Sequence, residues 1–280
     1  MTHSRIQPGI SFPALARRVP ARGVGIPSTD ARKIALTLGP SMLMLAALLV
    51  VGPIAQPEAY HHFHDTRTLL GIPYCLNVVS NLPFAVAGLL GLHWLLGRTC
   101  TLPRHLKACY AATLGGIALT AFGSAYYHWA PSHQTLVWDR LPMAIAFMGL
   151  FAGFLSERLR LSGPASLRLL AGLLAFGLGS VLYWAAFDDL RLYVLAQFYP
   201  ILAIPMVLWR TPAPFTRGGD WLVALGCYAA AKALEELDGA IYLAAGLVSG
   251  HTLKHLAAAA GAFVIVRMLM HRQAMACDRL

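Results

Sequence analysis

The chain has 280 residues, of which 58% are hydrophobic and only 12% are charged. Soluble domains carry about 25% charged residues, and the mean hydropathy here is +0.60, so a polytopic membrane protein without a separate soluble domain is predicted. The formal net charge of +10 does not indicate a nucleic-acid partner, because the cations lie in short loops between apolar runs.

The five cysteines show neither a CxxC pair nor a regular spacing. They are Cys75, Cys100, Cys109, Cys227 and Cys277. We therefore expect reduced cysteines that are mostly packed in helices, without a disulfide framework.

Residues 1–33 are polar and contain several prolines and arginines. They predict a disordered cytoplasmic tail, and the first apolar run begins too far from Met1 for a secretory signal. Eight apolar runs follow, each near the ~20 residues that a bilayer-spanning helix needs. They cover residues 34–54, 74–97, 107–128, 136–156, 167–187, 191–209, 220–245 and 250–270. Residues 34–271 are predicted to form one transmembrane helical domain, and residues 272–280 a cytoplasmic C-terminal tail.

The predicted fold class is an all-α integral membrane protein. The seventh run is the least clear, because four charged residues near its end shorten its apolar part. They are Lys232, Glu235, Glu236 and Asp238. The runs therefore represent either eight spans or a seven-transmembrane-helix core with one additional N-terminal transmembrane helix.

Loop charges predict the orientation of the chain. With the N-terminus inside, most of the 22 Lys and Arg residues lie on the cytoplasmic side and most acidic residues lie outside, as the positive-inside rule requires. An even number of spans returns the C-terminus to the cytoplasm. The basic loops and the plain N-terminus favour a bacterial inner membrane.

Two short motifs at the edges of predicted spans carry the polar residues of greatest interest. His128 closes the third span, Ser124 lies one turn deeper, and Asp139 opens the fourth span. His251 opens the eighth span and His255 lies one turn deeper, so both rings can reach one ion. The predicted topology places all five residues at one depth near the outer face, and we expect them to form one site.

Three histidines with a free fourth position are typical of a catalytic zinc, which lowers the pKa of a bound water toward ~7. In HExxH proteases a glutamate inside the motif moves the proton, but no acidic residue lies between His251 and His255. The predicted base is therefore Asp139. The Ser124 hydroxyl is predicted to hydrogen-bond the bound water or the oxyanion that forms when water attacks a carbonyl.

Each part of this pattern also has an ordinary structural explanation. An isolated HxxxH pair is a weak signal, and His128 could belong to an aromatic belt at the membrane interface. Asp139 could pair with Arg140 or cap its helix. A haem iron clamped by two of the histidines is a further alternative, which the neighbouring serine and aspartate disfavour.

Taken together, the motifs resemble the alkaline ceramidases and their relatives, the progestin and adiponectin receptor family. The resemblance is closest to bacterial members of the alkaline ceramidase family and covers roughly residues 60–271. The matching segments are NVVSNLP at 77–83, GSAYYH at 123–128, WDRLP at 138–142 and SGHTLKH at 249–255.

The resemblance implies a seven-helix core with a zinc site near one membrane face. It also implies hydrolysis of the amide bond of ceramide, or of a similar N-acyl lipid, to a long-chain base and a fatty acid. Carried over by position, His128, His251 and His255 are the zinc ligands, and Ser124 and Asp139 are the polar partners of the bound water. The lipid substrate is expected to enter from the bilayer, and no obligate protein partner is predicted.

The sequence departs from the family at a calcium site that eukaryotic alkaline ceramidases carry before the first core helix. A glutamate of that site lies three residues ahead of the NxxSN motif, and here that position is Tyr74. Asp65 and Asn77 remain as oxygen ligands, whereas calcium takes about six to eight, so calcium binding is doubtful. Asp65 is instead expected to pair with Arg67 or to anchor the loop.

Two further groups leave their roles open. His61, His62 and His64, in an outer loop, could bind a metal or be solvated. The charged residues near the end of the seventh run could pair structurally or act in catalysis. A second function also stays open, namely a seven-helix receptor or lipid-binding membrane protein with a structural zinc and little turnover.

Overall fold

The computed structural model describes residues 43, 44, 46–48, 50–98 and 100–275. The predicted tail 1–33 and most of the predicted first span 34–54 lie outside this part of the chain. The described residues are all-helical, and the only β-type contacts among them are two isolated bridges, Leu69 with Ile72 and Phe215 with Ala274. The prediction of an all-α fold is therefore confirmed.

Residues 43, 44, 46–48 and 50 are helical. A short 3₁₀ helix follows at Glu58–His61, and after it come the α-helices that are numbered here. They are α1 (Cys75–Val79), α2 (Leu82–Leu96), α3 (Arg104–Trp129), α4 (His133–Arg158), α5 (Gly163–Phe187), α6 (Arg191–Arg210), α7 (Asp220–Glu236), α8 (Asp238–Ala245) and α9 (Gly250–His271). Among the described residues, six segments are long and apolar enough to cross a membrane. They are α1 with α2 (Cys75–Leu96), α3, α4, α5, α6 and α9.

These six segments coincide with the predicted second to sixth spans and the predicted eighth span. Large apolar side chains lie on their outer surfaces, and Phe122, Leu182 and Trp209 are each more than half exposed. Such a surface is unfavourable in water but suits contact with lipid tails. The six apolar helices therefore indicate a multi-pass membrane protein.

The predicted seventh span, 220–245, is two helices that meet at Leu237. Helix α7 has 17 residues and α8 has 8. At this break lies Asp238, one of the charged residues of the segment. Its carboxylate accepts hydrogen bonds from the backbone N–H groups of His64 and His251. A total of seven or eight spans stays a prediction.

Close contacts between α3 and α4 depend on glycines of α3. A Cβ atom at Gly123 would lie 2.0 Å from the carbonyl oxygen of Trp138, and one at Gly116 would lie 2.5 Å from the backbone nitrogen of Ala146. Small residues let two helix backbones touch in this way. The C-terminal end of α3 therefore lies directly beside the first turns of α4.

The opposite end of these helices is held by a buried ion pair. Arg272, directly after α9, donates two hydrogen bonds to the carboxylate of Glu157 in α4. The Tyr110 hydroxyl of α3 donates to the same carboxylate at 2.8 Å. Arg272 begins the predicted C-terminal tail, and its buried side chain anchors the end of α9 to the helical bundle.

Candidate metal centre

Three histidines from two distant parts of the chain meet where α3 ends and α9 begins. His128 lies in the last turn of α3, whereas His251 and His255 lie in the first two turns of α9. All three are buried, and their ligand nitrogens lie within 4.8 Å of one another. The structure thus brings together the three residues that the sequence motifs predicted as one cluster, and this cluster could hold a metal ion.

The spacing of the imidazole nitrogens fits a common metal ligand set. Two nitrogens bound at 2.0–2.1 Å to a tetrahedral metal such as zinc stand about 3.3 Å apart. The Nε2 atoms of His128 and His251 are 3.3 Å apart. The ring centroids of the three histidines are 4.8, 4.9 and 5.0 Å apart, so the rings surround one small volume.

The same geometry argues against the haem alternative. Two histidines on opposite faces of a haem would place their nitrogens about 4 Å apart, twice a metal–nitrogen bond, with the porphyrin between them. The Nε2 atoms of His128 and His251 are closer than that. The Phe63 ring also packs edge-on against both imidazoles, with centroid distances of 4.7 and 4.5 Å. As they stand, the His128 and His251 rings leave no gap for a flat macrocycle between them.

The orientation of His255 is set by Ser80, at the end of α1. The Ser80 hydroxyl donates to the carbonyl oxygen of Asn77 at 3.1 Å and lies 2.8 Å from Nδ1 of His255. With its hydrogen used there, Ser80 accepts the Nδ1–H of His255. The Nε2 lone pair of His255 is then free for a metal, which is the support that metal-bound histidines usually receive.

Asp238 supports the start of α9. One of its carboxylate oxygens accepts the backbone N–H of His251 at 2.7 Å, and the other accepts the backbone N–H of His64 at 3.1 Å. A carboxylate at a helix N-terminus is favourable because the N–H groups there lack partners inside the helix. Gly250 allows this approach, since a Cβ atom would lie 2.2 Å from the carbonyl oxygen of Leu234.

The His128 ring has one nitrogen without a protein partner. Its Nδ1 atom is buried and makes no hydrogen bond among the described residues. A buried polar atom without a partner costs about 1–3 kcal/mol. Since no hydrogen bond holds this ring on the Nδ1 side, a ligand on Nε2 would account for its position between Phe63 and His251.

Ser124 and Asp139 lie beside this cluster, at the contact of α3 with α4. Both are buried and line the same cavity as His255. The Oδ1 atom of Asp139 has no partner among the described residues. The five residues that the sequence predicted as one site thus lie at the same end of the helices.

The alternative roles of Asp139 are not realised. Helix α4 is capped by Ser132 instead, whose side chain accepts the backbone N–H of Thr135. The guanidinium of Arg140 donates to the Gln56 side chain and lies 4.1 Å from the ring centroid of Trp184. Among the described residues, Asp139 therefore neither caps its helix nor forms an ion pair with Arg140.

A cavity of about 310 Å³ extends from the site into the helical bundle. Its polar end is lined by Ser124, Asp139, Lys254 and His255, and its apolar end by Phe151, Ile204, Trp221 and Ile265. Along α4 the distance from Asp139 to Phe151 is about 18 Å at 1.5 Å per residue. The cavity thus joins a polar end next to the histidines to a long apolar channel.

Charged residues of α7 and α9 line the polar end of the cavity. Glu235 forms ion pairs with Lys232 and with Lys254, the latter at 2.9 Å. Sequence reasoning left the roles of these residues open. The pairing neutralises part of the charge, as expected for ionisable groups in a membrane-embedded region.

The Asp65 carboxylate is occupied by protein groups. It accepts two side-chain hydrogen bonds from Arg67, at 2.7 and 2.8 Å, which confirms the predicted pairing. These hydrogen bonds lower the pKa of Asp65 below its ordinary value. The side-chain oxygen of Asn77 accepts the Thr252 hydroxyl at 2.8 Å, so neither group is directed to a shared calcium ion.

Sequence reasoning did not assign Ser80 or Asp238 to the site. Ser80 appeared only within the NVVSNLP segment, and Asp238 only as one of four charged residues near the end of a span. The spacing of a single motif could not reveal them. Ser80 lies 175 residues before His255 in the chain, and Asp238 lies 13 residues before His251. A buried polar residue at a predicted span edge was the one signal available.

No known protein-family model matches this chain, and no curated protein matches it. The fold and the site nevertheless define a class. The chain is a multi-pass membrane protein with a buried three-histidine cluster, which could hold a metal ion at the polar end of an apolar cavity.

Proposed function

We propose that this protein is a zinc-dependent membrane amidohydrolase that cleaves the amide bond of ceramide or a similar N-acyl lipid. The observation that carries the proposal is the cavity, because it joins the buried His255, Ser124 and Asp139 to an apolar channel. Such a shape suits an acyl chain in the channel and an amide group at the polar end. The resemblance to the alkaline ceramidases favours the same reaction.

The residues present fit a zinc ion held by His128, His251 and His255. When bound there, zinc would supply Lewis-acid activation of water and of the substrate carbonyl. Ser80 and Asp238 would keep the rings of α9 in place for this purpose. The buried surroundings would exclude bulk water and strengthen electrostatic interactions at the site.

Asp139 and Ser124 would carry the proton transfer and the oxyanion stabilisation. Amide hydrolysis adds the oxygen of water to the carbonyl carbon, breaks the C–N bond and moves a proton from the water to the leaving nitrogen. The Oδ1 atom of Asp139, which has no partner among the described residues, would accept that proton and return it to the amine. The Ser124 hydroxyl would donate a hydrogen bond to the developing oxyanion.

The proposed topology follows the loop charges and the resemblance. Helices α7 and α8 together, the predicted seventh span, form the sixth of the seven core segments, and the predicted first span, 34–54, is an addition ahead of the core. Both termini lie in the cytoplasm, and the metal site lies near the outer, periplasmic face of a bacterial inner membrane. The lipid substrate enters the cavity sideways from the bilayer.

The test is release of fatty acid from a fluorescent ceramide by the full-length protein in detergent. We expect His255→Ala and Asp139→Asn to lower turnover at least 100-fold while the thermal unfolding transition is kept. His93→Ala and Glu236→Gln, at exposed positions, are the matched controls. Turnover like that of the unaltered protein in either site variant would contradict the proposal.

A second candidate function is a receptor or lipid-binding protein with a structural zinc. The packing of Phe63 over His128 and His251 favours it, because it closes one side of the cluster. Chelation of zinc separates the two functions. A structural metal lowers the unfolding temperature when it is removed, whereas a catalytic metal removes turnover with little loss of stability.

A further inference from the structure

A second cluster of metal-ligating side chains lies outside the three-histidine centre. Glu58 and His61 belong to the 3₁₀ helix, and His133 begins α4. Their ligand atoms lie within 4.8 Å of one another. The sequence pattern suggested metal binding only for the histidines of the loop, and it did not connect them with His133.

Two distances between ligand atoms of this cluster, one shorter and one longer, lie close to the value expected for a tetrahedral metal site. Nε2 of His61 is 3.0 Å from Nδ1 of His133, and Oε2 of Glu58 is 3.6 Å from the same Nδ1 atom. Ligand atoms of a tetrahedral zinc stand about 3.3 Å apart. The ligand atoms of Glu58 and His61 lie within 4.8 Å of each other, so a rotation of the exposed Glu58 side chain would let all three residues bind one ion.

The contacts of Tyr127 favour one tautomer of His61. The Tyr127 hydroxyl donates to the carbonyl oxygen of Tyr60 at 3.4 Å and lies 2.9 Å from Nδ1 of His61. With its hydrogen directed to Tyr60, this hydroxyl accepts the Nδ1–H of His61. The Nε2 lone pair of His61 then faces His133 and Glu58, and the far-side hydrogen bond is the support typical of metal-bound histidine.

The cluster is open to water on one side and buried on the other. The His61 side chain is buried, whereas the side chains of His133 and Glu58 are 37% and 78% exposed. The His133 ring stacks on Trp184 with an interplanar angle of 25°. An ion can therefore reach the site from solvent while two of its ligands stay in fixed positions.

We propose that Glu58, His61 and His133 form a second binding site for a divalent metal ion of the zinc type. Two histidines and a glutamate are a ligand set of known zinc sites, with a fourth position left for water. The ion would join the 3₁₀ helix to the start of α4. It would do so next to Tyr127, the neighbour of His128, and independently of the proposed hydrolysis.

Binding here is expected to be weaker than at the three-histidine centre. The cation Arg140 lies nearby and opposes a second positive charge, although its guanidinium already donates to Gln56 and lies over Trp184. Without a metal, Nε2 of His61 and Nδ1 of His133 are 3.0 Å apart, which is a hydrogen-bond distance. The experiment must therefore distinguish an ion from a hydrogen bond between the two rings.

The test is a calorimetric titration of Zn²⁺ into the full-length protein after its metal has been removed with a chelator. We expect two binding sites in the unaltered protein and a single site in His133→Ala. Glu58→Ala should weaken the second site at least tenfold, and because this side chain is largely exposed, the variant loses little packing. His62→Ala, at an exposed neighbouring position, should keep both sites.

A further variant separates this proposal from the proposed function. His255→Ala should remove the tighter site and leave the weaker one, so the two proposals can fail independently. A single site in the unaltered protein that is lost in His255→Ala would overturn the second site. The proposal would also be overturned by a second site that binds with unchanged affinity in both His133→Ala and Glu58→Ala.

Discussion

Ser80 and Asp238 hold two of the three histidines without being predicted as site residues. Ser80 directs Nε2 of His255 toward the centre by accepting its Nδ1–H, and Asp238 accepts the backbone N–H of His251. Groups that orient the ligands of a metal typically change its affinity by about 10–100-fold when they are removed. The geometry of the cluster therefore depends on these two residues in addition to the spacing of its motif.

Removing the Ser80 hydroxyl should weaken metal binding. We expect Ser80→Ala to lower zinc affinity on the order of 10–100-fold, because Nδ1–H of His255 loses its acceptor. Competition with a chromophoric chelator measures this affinity. Ser166→Ala is the matched control, since the Ser166 hydroxyl is buried but makes no hydrogen bond among the described residues. Equal affinities of the two variants would contradict the role of Ser80.

Asp189 should make stability depend on pH in the acid range. Hydrogen bonds from the Arg191 side chain hold the pKa of Asp189 at about 2, below its ordinary value of 3.8. A depressed folded-state pKa means that the contribution is complete above the ordinary value and is lost as the pH falls from about 4 toward 2. The Asp189 carboxylate also accepts the backbone N–H of Ile54, so it ties the segment before the 3₁₀ helix to the loop ahead of α6.

The corresponding variant is Asp189→Asn. Its unfolding temperature should lie below that of the unaltered protein near neutral pH, and the difference should shrink as the pH approaches 2. Thermal unfolding followed across this range is the measurement. Glu236→Gln, at an exposed position, should follow the unaltered protein throughout. A constant difference at every pH would rule out the ion pair as the cause.

At the scale of helices, the site is assembled by backbone contact between α3 and α4 and by the position of α9. Gly123 precedes Ser124 and touches the carbonyl oxygen of Trp138, which precedes Asp139. The glycine in the GSAYYH segment thus has a packing role, since it sets the distance between the two polar residues. The break between α7 and α8 has a similar role, because it places Asp238 at the start of α9.

Filling the contact at Gly123 should separate the two helices. We expect Gly123→Ala to destabilise the protein by roughly 1–3 kcal/mol, because the added methyl group meets backbone rather than a flexible side chain. Metal affinity should fall as His128 is displaced together with α3. Thermal unfolding and zinc titration are the two measurements.

The control for this variant lies on the same helix. A Cβ atom at Gly115 would meet nothing within 4 Å. Gly115→Ala should therefore leave metal affinity unchanged and stabilise α3 by about 0.5–1 kcal/mol. If both variants behave alike, helix propensity rather than close packing explains the effect at Gly123.

At the scale of the whole molecule, the cavity connects the polar site to the apolar centre of the bundle. Its apolar end is lined by residues of α4, α6, α7 and α9. The outer surfaces of these helices carry exposed apolar side chains. A long apolar channel behind a small polar site favours a ligand with one polar group and a hydrocarbon chain. This property belongs to the arrangement of the helices and to no single motif.

Blocking the channel should change the preference for chain length. Ile201 lines the cavity, and Ile201→Trp should lower kcat/KM for a long-chain N-acyl lipid at least tenfold relative to a short-chain one, with zinc content unchanged. Leu202→Trp is the control, because Leu202 on the same helix is exposed on the outer surface. An equal loss for both chain lengths would show that the channel does not hold the acyl chain.

The sequence alone determined the class of the protein and the residues of the central cluster. Apolar runs of about 20 residues and the paucity of charge are local properties, so they predicted six of the helices that could cross a membrane. The spacing of His251 and His255 is also local, since residues four apart lie on one helical face. The topology predicted from the loop charges connected these two with His128 by placing all three at one depth, and the resemblance implies the same set.

Only the tertiary structure decided what surrounds the cluster. The contacts of Ser80 with His255, of Asp238 with His64, and of His61 with His133 join residues far apart in the chain, which no periodicity records. The broken segment at 220–245 and the cavity likewise arise from how the helices pack. Local pattern thus predicts helices and ligand pairs, whereas packing across the bundle determines which polar groups support them and which space remains open.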